Sequence, residues 1–210
     1  RPHRAAFDMG HAVHTAILGE GGQTVIIDAP DWRSKAAQEA KKAAHEQRLV
    51  PAHRGTLLMA SKVARAVRAN PLAAGILSQG TPEQSMFWVD EETGITCRGR
   101  IDWARPNALV DVKTAAYGKA TPSAFAREAA NFDYPMQAAH YIDGYEVLTG
   151  RRVPFLFLVV EKEPPYMVRV FQLSEHDLEA GRERIREARR LFADYESNGY
   201  PDDSTDIHTL

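Results

Sequence analysis

Asp102, Asp111 and Lys113 are the residues whose types and spacing could do chemistry. Asp111 and Lys113 lie two apart in the apolar stretch "ALVDVKTA", 108–115, and Asp102 lies in "GRIDWA", 99–104. Suppose the turn "RPNA", 105–108, is a four-residue loop joining two strands. Residues 104 and 109 then pair, and the same register sets Asp102 opposite Asp111 with Cβ atoms ~5 Å apart. Lys113 points to the same strand face as Asp111, and Val110 and Val112 point to the other. Two facing carboxylates repel, and a fold tolerates them when a cation sits between them or one is protonated. Hard divalent cations such as Mg²⁺, with Mn²⁺ as a substitute, take carboxylate oxygens and keep several waters. A lysine beside such a site can position or deprotonate a metal-bound water, or stabilise charge on a phosphate. The ordinary alternative is a strand edge where Asp111 and Lys113 only solvate the surface. A bare D-x-K favours that alternative, and the second carboxylate at hairpin distance weighs against it.

The elements that must hold these residues follow from pattern. "FDMGHAVHTAIL", 7–18, reads as a helix with Phe7, Val13, Ile17 and Leu18 near one face. "TVIID", 24–28, reads as a short strand, and "SKAAQEAKKAAHEQRL", 34–49, as an Ala-rich surface helix. "TLLMASKVARAVRA", 56–69, is amphipathic, with a core stripe of Leu57, Ala60, Ala64 and Val67. Lys62, Arg65 and Arg68 follow at spacings of three on another face. Pro71 opens a further helix.

The pattern then turns extended: 83–90, 96–104 and 108–115 are strands, separated by "EETG" and "RPNA". Helices at 121–130 and 134–148 precede the most apolar strand, 153–162, which reads as central. Its partner is 166–173, and Ser174 caps a helix running to about Tyr195. The tail, 201–210, is polar. This order describes an α/β protein of the mixed α+β kind, a central mixed β-sheet flanked by helices.

Composition bounds the function. The 210 residues are 44% hydrophobic and 26% charged, ordinary for a globular protein. The single cysteine, Cys97, excludes an internal disulfide and a Cys-based zinc site, and fits a reducing cytoplasm. No apolar run reaches membrane-spanning length, and no signal peptide opens the chain. The chain begins at Arg1 rather than Met, so a preceding segment is expected to be missing. The net charge of −2 is unevenly spread. Arg33 to Arg68 carries nine Lys/Arg against two Glu, a local +7 that suits a phosphate-rich partner or a solvated helix face. Ser174 to Asp206 carries ten acids against five Arg, a local −5.

"GRID" followed by "LVDVKT" resembles the core of the PD-(D/E)xK nucleases. "YPMQAAHYIDGY", 134–145, resembles the Q-x-x-x-Y helix of the exonuclease branch, and "GHAVHTAIL", 10–18, that branch's helix with a metal-binding histidine. "EQSMFWVDEETGITCRGRID", 83–102, is similar to the first core strands. Together, over about residues 7–173, these resemble the RecE-type exodeoxyribonuclease VIII family and its phage-borne relatives. Three departures stand out. Ile101 replaces the signature proline, Asp111 stands where many relatives have Glu, and the family's N-terminal segment is absent before Arg1.

The resemblance implies a restriction-endonuclease-like core in one domain over 1–210. That domain would have a mostly helical N-terminal segment, 1–80, a nuclease core 81–173, a C-terminal helix 174–197 and a tail 198–210. It implies that Asp102 and Asp111 bind Mg²⁺, that the carbonyl of Val112 adds a ligand, and that His14 completes the shell. Glu83 would lie near that metal or a second one, and Lys113 would act on the attacking water. Gln137 and Tyr141, four apart on one helix face, would line the DNA channel. Each has a plainer alternative. His14 could be a boundary histidine, Glu83 a solvated strand start, Gln137 a surface residue and Tyr141 a core residue. Trp88 and Trp103 read as core rather than as base-stacking platforms.

The implied activity is Mg²⁺-dependent 5′-to-3′ resection of linear duplex DNA ends, with attack by metal-activated hydroxide leaving a 5′-phosphate. The 3′ single strands would serve an annealing or recombination partner in DNA repair. The basic helices at 34–69 would hold the DNA backbone. A ring-like homo-oligomer around DNA is also implied. The rivals are an endonuclease on the same core and a catalytically silent DNA-binding module. The Q-x-x-x-Y helix and the upstream histidine argue against the first, and the intact Asp102, Asp111 and Lys113 against the second.

Overall fold

The computed structural model describes residues 5–200, with side chains from Met9 onward. Phe7's expected place in the first apolar stripe and the tail 201–210 lie outside the described side chains and residues. The first half holds α1 (Ala5–Leu18), β1 (Thr24–Ile26), α2 (Lys35–Glu46), β2 (Val50–Ala52), α3 (Arg54–Ala69) and α4 (Pro71–Ile76). The second half holds β3 (Thr81–Val89), β4 (Thr96–Arg105), β5 (Ala108–Ala115), α5 (Pro122–Asn131), α6 (Tyr134–Thr149), β6 (Phe155–Glu161), β7 (Val168–Gln172) and α7 (Glu175–Asn198).

The main sheet runs β3-β4-β5-β6-β7, with β5 in the middle. β3, β4 and β5 form an antiparallel meander, β6 runs parallel to β5, and β7 is antiparallel to β6. A parallel pair needs a crossover of a dozen or more residues, and α5 with α6 supplies it. The sheet is therefore mixed, flanked by helices as the element order predicts. The strand 153–162 is interior but sits one place off centre; the centre is β5, whose side chains are buried up to Val112.

β5 separates two cores by simple alternation. Leu109 faces one side with Phe155, Phe157 and Val159 of β6, against Phe125 of α5, Ala138 and Ile142 of α6 and Leu178 of α7. Val110 and Val112 face the other with Leu158 and Val160, against Val13 of α1, Val63 and Val67 of α3 and Ile76 of α4. Asp111 and Lys113 share the Leu109 face, where α6 covers them. Phe157 is fully buried, with ring centroids of Phe155 at 5.0 Å, Tyr134 at 5.3 Å and Phe125 at 5.4 Å. Removing such a ring costs about 3–5 kcal/mol. Trp88 belongs to the first core, and Trp103 packs on the second while its indole donates to the Gln79 carbonyl.

Two local readings change. The Ala-rich helix stops at Glu46, because Arg48 takes a left-handed φ of 58° and Leu49 bonds back to the Ala44 carbonyl. The next three residues form β2, parallel to β1, in a small separate sheet that pattern alone does not announce. The β4–β5 turn contains only Pro106 and Asn107, because Arg105 pairs with Ala108. The expected register survives, since Ala104 still pairs with Leu109.

α7 fastens the α6 side. Ser174 Oγ accepts from the Asp177 amide, as expected of an N-cap. Buried Arg189 reaches Asp90 at 2.8 Å and the His140 ring at 2.9 Å, and buried Arg182 pairs with Asp143 and Glu179. The acidic C-terminal segment thus turns two of its five arginines inward. Among the described residues, no helix is long and apolar enough to cross a membrane.

Gly181 of α7 lies directly against the backbone of Pro135 and Met136, where an added Cβ would overlap the Pro135 carbonyl. Helix propensity alone predicts that Gly181→Ala stabilises by about 1 kcal/mol. Overpacking against an immobile helix start predicts a loss of about 1–3 kcal/mol instead. Urea denaturation at constant m should show the loss, and a gain would mean that α7 does not seat on α6 this closely.

Candidate functional site

The site forms where β4 and β5 part. Their ladder ends at Trp103↔Val110, and the next pair would be Asp102 and Asp111. Asp102 instead turns its carboxylate into the gap and accepts the Val112 amide at 2.7 Å. The hairpin register predicts Asp102 and Asp111 as facing partners; instead they are not a ladder pair and line the two walls of a cleft. The side chain replaces the strand partner that the Val112 N–H lacks.

On the Asp102 side, α1 contributes His14, whose Nδ1 lies 3.5 Å from Asp102 Oδ2. The neighbouring Val13 is fully buried, which fixes the helix and aims His14 at the cleft. Glu83 arrives from β3 and lies across from Asp102, between the paired positions Pro82↔Trp103 and Gln84↔Ile101. It has a left-handed φ of 50°. A non-glycine residue held there inside a strand is an outlier of the kind that gathers at functional sites. Ligand atoms of His14, Glu83 and Asp102 all lie within 4.8 Å of one another.

On the other wall, Asp111 is only 5% exposed. Its Oδ1 accepts from Gln137 Nε2 at 2.6 Å. Its Oδ2 lies 2.8 Å from Lys113 Nζ, off hydrogen-bond alignment, so it is an ion pair with an oxygen that has no hydrogen-bond partner. Lys113 Nζ also donates to Gln137 Oε1 at 3.2 Å and sits 4.6 Å over the Tyr134 ring. Asp111, Lys113 and Gln137 thus form a closed triangle resting on an aromatic face. Asp111 is not in the His14–Glu83–Asp102 ligand group. Tyr141 packs its ring on Gly99 and on Phe155, so its geometry is largely that of a core residue bordering the site. Val112 donates its amide to Asp102, and its backbone also hydrogen-bonds the His14 imidazole.

The electrostatics are those of too much negative charge in too little water. Burial, then the neighbouring Asp111 charge, raises the Asp102 carboxyl to about 8. Burial lowers the His14 imidazole below its ordinary value, against the opposing pull of Asp111 and Glu83. A neutral imidazole is what a metal requires of a histidine ligand. Burial also pushes the Tyr134 hydroxyl up to about 12, with Asp111 adding to it. Imidazole and carboxylate donors around a desolvated centre short of positive charge fit a divalent cation such as Mg²⁺ or Mn²⁺.

A cavity of about 350 Å³ opens beside His14 and Glu83, lined also by His11, Thr15, Gly21 and Arg100. A larger one, about 650 Å³, lies between α2 and β1, lined mostly by alanine and aliphatic side chains. Its size does not mark the chemistry, since it contains none of the clustered ligands. Two residues at the site escape the sequence reading. Tyr134 lies one turn before Gln137, so the i, i+3 spacing carried the signal. Arg100, whose Nε is 2.9 Å from Glu83 Oε2, precedes Asp102 by two on the same strand face.

The sequence matches, over residues 2–206, the family described as a PDDEXK-like domain of unknown function (DUF3799). Among solved structures, a protein from Eubacterium rectale provisionally described as an exonuclease is similar in fold. The identity is 15%, the match covers 96% of this chain and 71% of that one, and the TM-score is 0.69. A structure named SSO0001 matches at 11% identity over 91% of this chain and 87% of that one, with a TM-score of 0.37 that bears no weight. No curated protein matches in sequence.

Because the folded-state pKa of Asp102 lies above its ordinary value, its contribution to stability is full near pH 4 and is lost as pH rises towards about 8. Metal-free protein should therefore lose stability over that window, and Asp102→Asn should flatten the loss. Thermal unfolding in EDTA at pH 5 and pH 8 reads this directly. An Asn variant that is equally destabilised at both pH values would remove Asp102 from the strained centre. Added Mn²⁺ should stabilise the wild type most at pH 8.

Proposed function

This chain belongs to the DUF3799 family of PDDEXK-like domains, and from that premise we propose that it is a divalent-metal-dependent nuclease acting on DNA, specifically an exodeoxyribonuclease. The observation that carries the reading is the ligand cluster of His14, Glu83 and Asp102 beside the Asp111–Lys113–Gln137 triangle. A bound divalent cation would activate water and neutralise charge on the scissile phosphate. His14, Asp102 and Glu83 would hold it, with Asp111 turning from Lys113 to join them.

The remaining work falls to groups of this chain. Gln137 holds Asp111 and Lys113 at once, fixing the separation between carboxylate and ammonium. Lys113 Nζ, supported by the Tyr134 ring, can stabilise charge on a phosphate oxygen or exchange a proton with the attacking water. Helices α2 and α3 expose Lys42, Lys62, Arg65 and Arg68, which suit contacts to the phosphate backbone.

Exonuclease action, 5′-to-3′ polarity, Mg²⁺ as the working ion and a role in recombination rest on the resemblance to exodeoxyribonuclease VIII. The description of the Eubacterium rectale protein agrees with the first of these. One nuclease domain over 1–210, a ring-like oligomer and an annealing partner belong to the same reading.

Digestion of linear and covalently closed duplex DNA, with Mg²⁺ and with EDTA, tests it. Only linear DNA should be lost, only with Mg²⁺, and the 5′ label should leave first. Lys113→Ala should lower the rate by about 10²–10⁴-fold, and Asp111→Asn should also be severe. Cutting of the closed circle would replace the exonuclease with an endonuclease. Full activity in EDTA would overturn the metal centre.

Cleavage and DNA affinity should both fall steeply between about 50 and 200 mM salt if the α2–α3 face tracks the backbone. A charge-reversed Lys62→Glu/Arg65→Glu pair should weaken duplex binding without changing the Lys113 dependence of cleavage. Unchanged binding would take the DNA elsewhere.

A further inference from the structure

Among the described residues, Arg100 is the cation paired with Glu83, and its circumstances are unusual. It stands on β4, paired with Ser85 across the ladder and two residues before Asp102. Its Nε is 2.9 Å from Glu83 Oε2, yet among the described residues its guanidinium makes no aligned hydrogen bond. The carboxylate is sheltered, 18% exposed, and the arginine is not, at 60%. The same Glu83 side chain belongs to the ligand group with His14 and Asp102. One carboxylate is therefore shared between a cation of this chain and a candidate metal.

That competition has a direction. A half-exposed ion pair through a single nitrogen is worth little and is easily exchanged. A divalent ion at the same carboxylate carries twice the charge and is held by further ligands from His14 and Asp102. The guanidinium, once displaced, has somewhere to go: Arg100 itself lines the cavity of about 350 Å³ that also touches His11, His14, Thr15 and Glu83. The Gly21–Gly22 segment leaves a stretch of that wall as bare backbone. A Cβ at Gly21 would overlap the Thr15 hydroxyl, and one at Gly22 would lie 2.7 Å from Val50 Cγ2. A planar fork of N–H donors in a polar cavity beside a phosphate-cleaving centre suits a phosphate oxygen.

We infer that Arg100 is a substrate-binding arginine held on Glu83 until a divalent cation takes that carboxylate, after which its guanidinium grips a backbone phosphate of the DNA next to the cleaved bond. The inference rests on the nuclease reading. It gives Glu83 two roles in sequence, and it makes DNA affinity near the site depend on metal through a side chain that does not itself touch the metal.

The experiment uses the full chain and two variants, Arg100→Gln and Arg100→Lys, with Asp102→Asn as the reference. Mn²⁺ binding to DNA-free protein is measured by electron paramagnetic resonance. Binding of a labelled duplex is measured by anisotropy with Mn²⁺ in the Lys113→Ala background, so that cleavage does not intrude. Removing the competitor should tighten Mn²⁺ binding, by about 3–10-fold in Arg100→Gln. Removing the phosphate contact should weaken DNA binding about 10-fold and reduce the salt slope by about 1. Arg100→Lys, keeping charge without the fork, should fall between on both.

Opposite signs on metal and DNA are not what a merely structural residue gives. Unchanged or weaker Mn²⁺ binding in Arg100→Gln, or unchanged DNA binding, overturns the role of Arg100. Wild type that binds no Mn²⁺, or Asp102→Asn that binds it as well as wild type, overturns the metal centre itself. The two failures are therefore separable. Equal thermal unfolding temperatures for the Arg100 variants and wild type in EDTA show that both signals come from folded protein.

Discussion

The Val112 amide has no strand partner where β4 and β5 part, and the Asp102 carboxylate takes that hydrogen bond. An unpaired buried amide is costly, so the gap in the sheet fixes a carboxylate inside it. A carboxylate placed there is desolvated, and a second, Asp111, stands across the cleft. Everything else at the site answers that charge. Lys113 and Gln137 hold Asp111, while neutral His14 comes up to Asp102 and Arg100 leans on Glu83. The pairing of groups is incomplete: Asp102 keeps a strongly raised pKa, and Asp111 Oδ2 keeps no hydrogen bond. Such a charge balance suits a centre that holds a cation; one balanced for stability would have replaced these groups with apolar ones.

The architecture positions the two walls independently. α1 rests on α3 and the Val110–Val112 face, so its packing decides where His14 points. α6 rests on the Leu109–Phe157 face, so its packing decides where Gln137 and Tyr134 meet Lys113. α7 then pins α6 through Gly181 against Pro135 and through Arg182 and Arg189. His140, between Gln137 and Tyr141 in the helix, accepts one of these arginines and contacts the Arg98 carbonyl on β4. The arginine network thus ties helix and hairpin into one frame, and a shift of either would open the cleft.

Much of this was legible from the chain. The order of elements, the mixed sheet, the Ser174 cap and the β4–β5 register all follow from periodicity and turn chemistry. The D-x-K face was legible because strand alternation separates Asp111 and Lys113 from Val110 and Val112. Gln137 was legible through a motif, and Tyr134 could have been, being one turn away. β2 was not, because a three-residue strand containing Pro51 has no period to detect. The true end of α2 was not, because a left-handed Arg48 is invisible to propensity.

The sequence by itself determined which residues share a face, because local backbone geometry repeats every two residues in a strand and about every 3.6 in a helix. That is enough to set Asp111 beside Lys113 and Gln137 in line with Tyr141. Only the tertiary structure decided how the sets meet. The splaying of β4 from β5 sent Asp102 to the Val112 amide and to His14 instead of to Asp111. The left-handed turn of Glu83 brought a third carboxylate into the same cleft, against Arg100. Both are long-range events, set by how helices seat on the two faces of the sheet, and no local period in the chain encodes them.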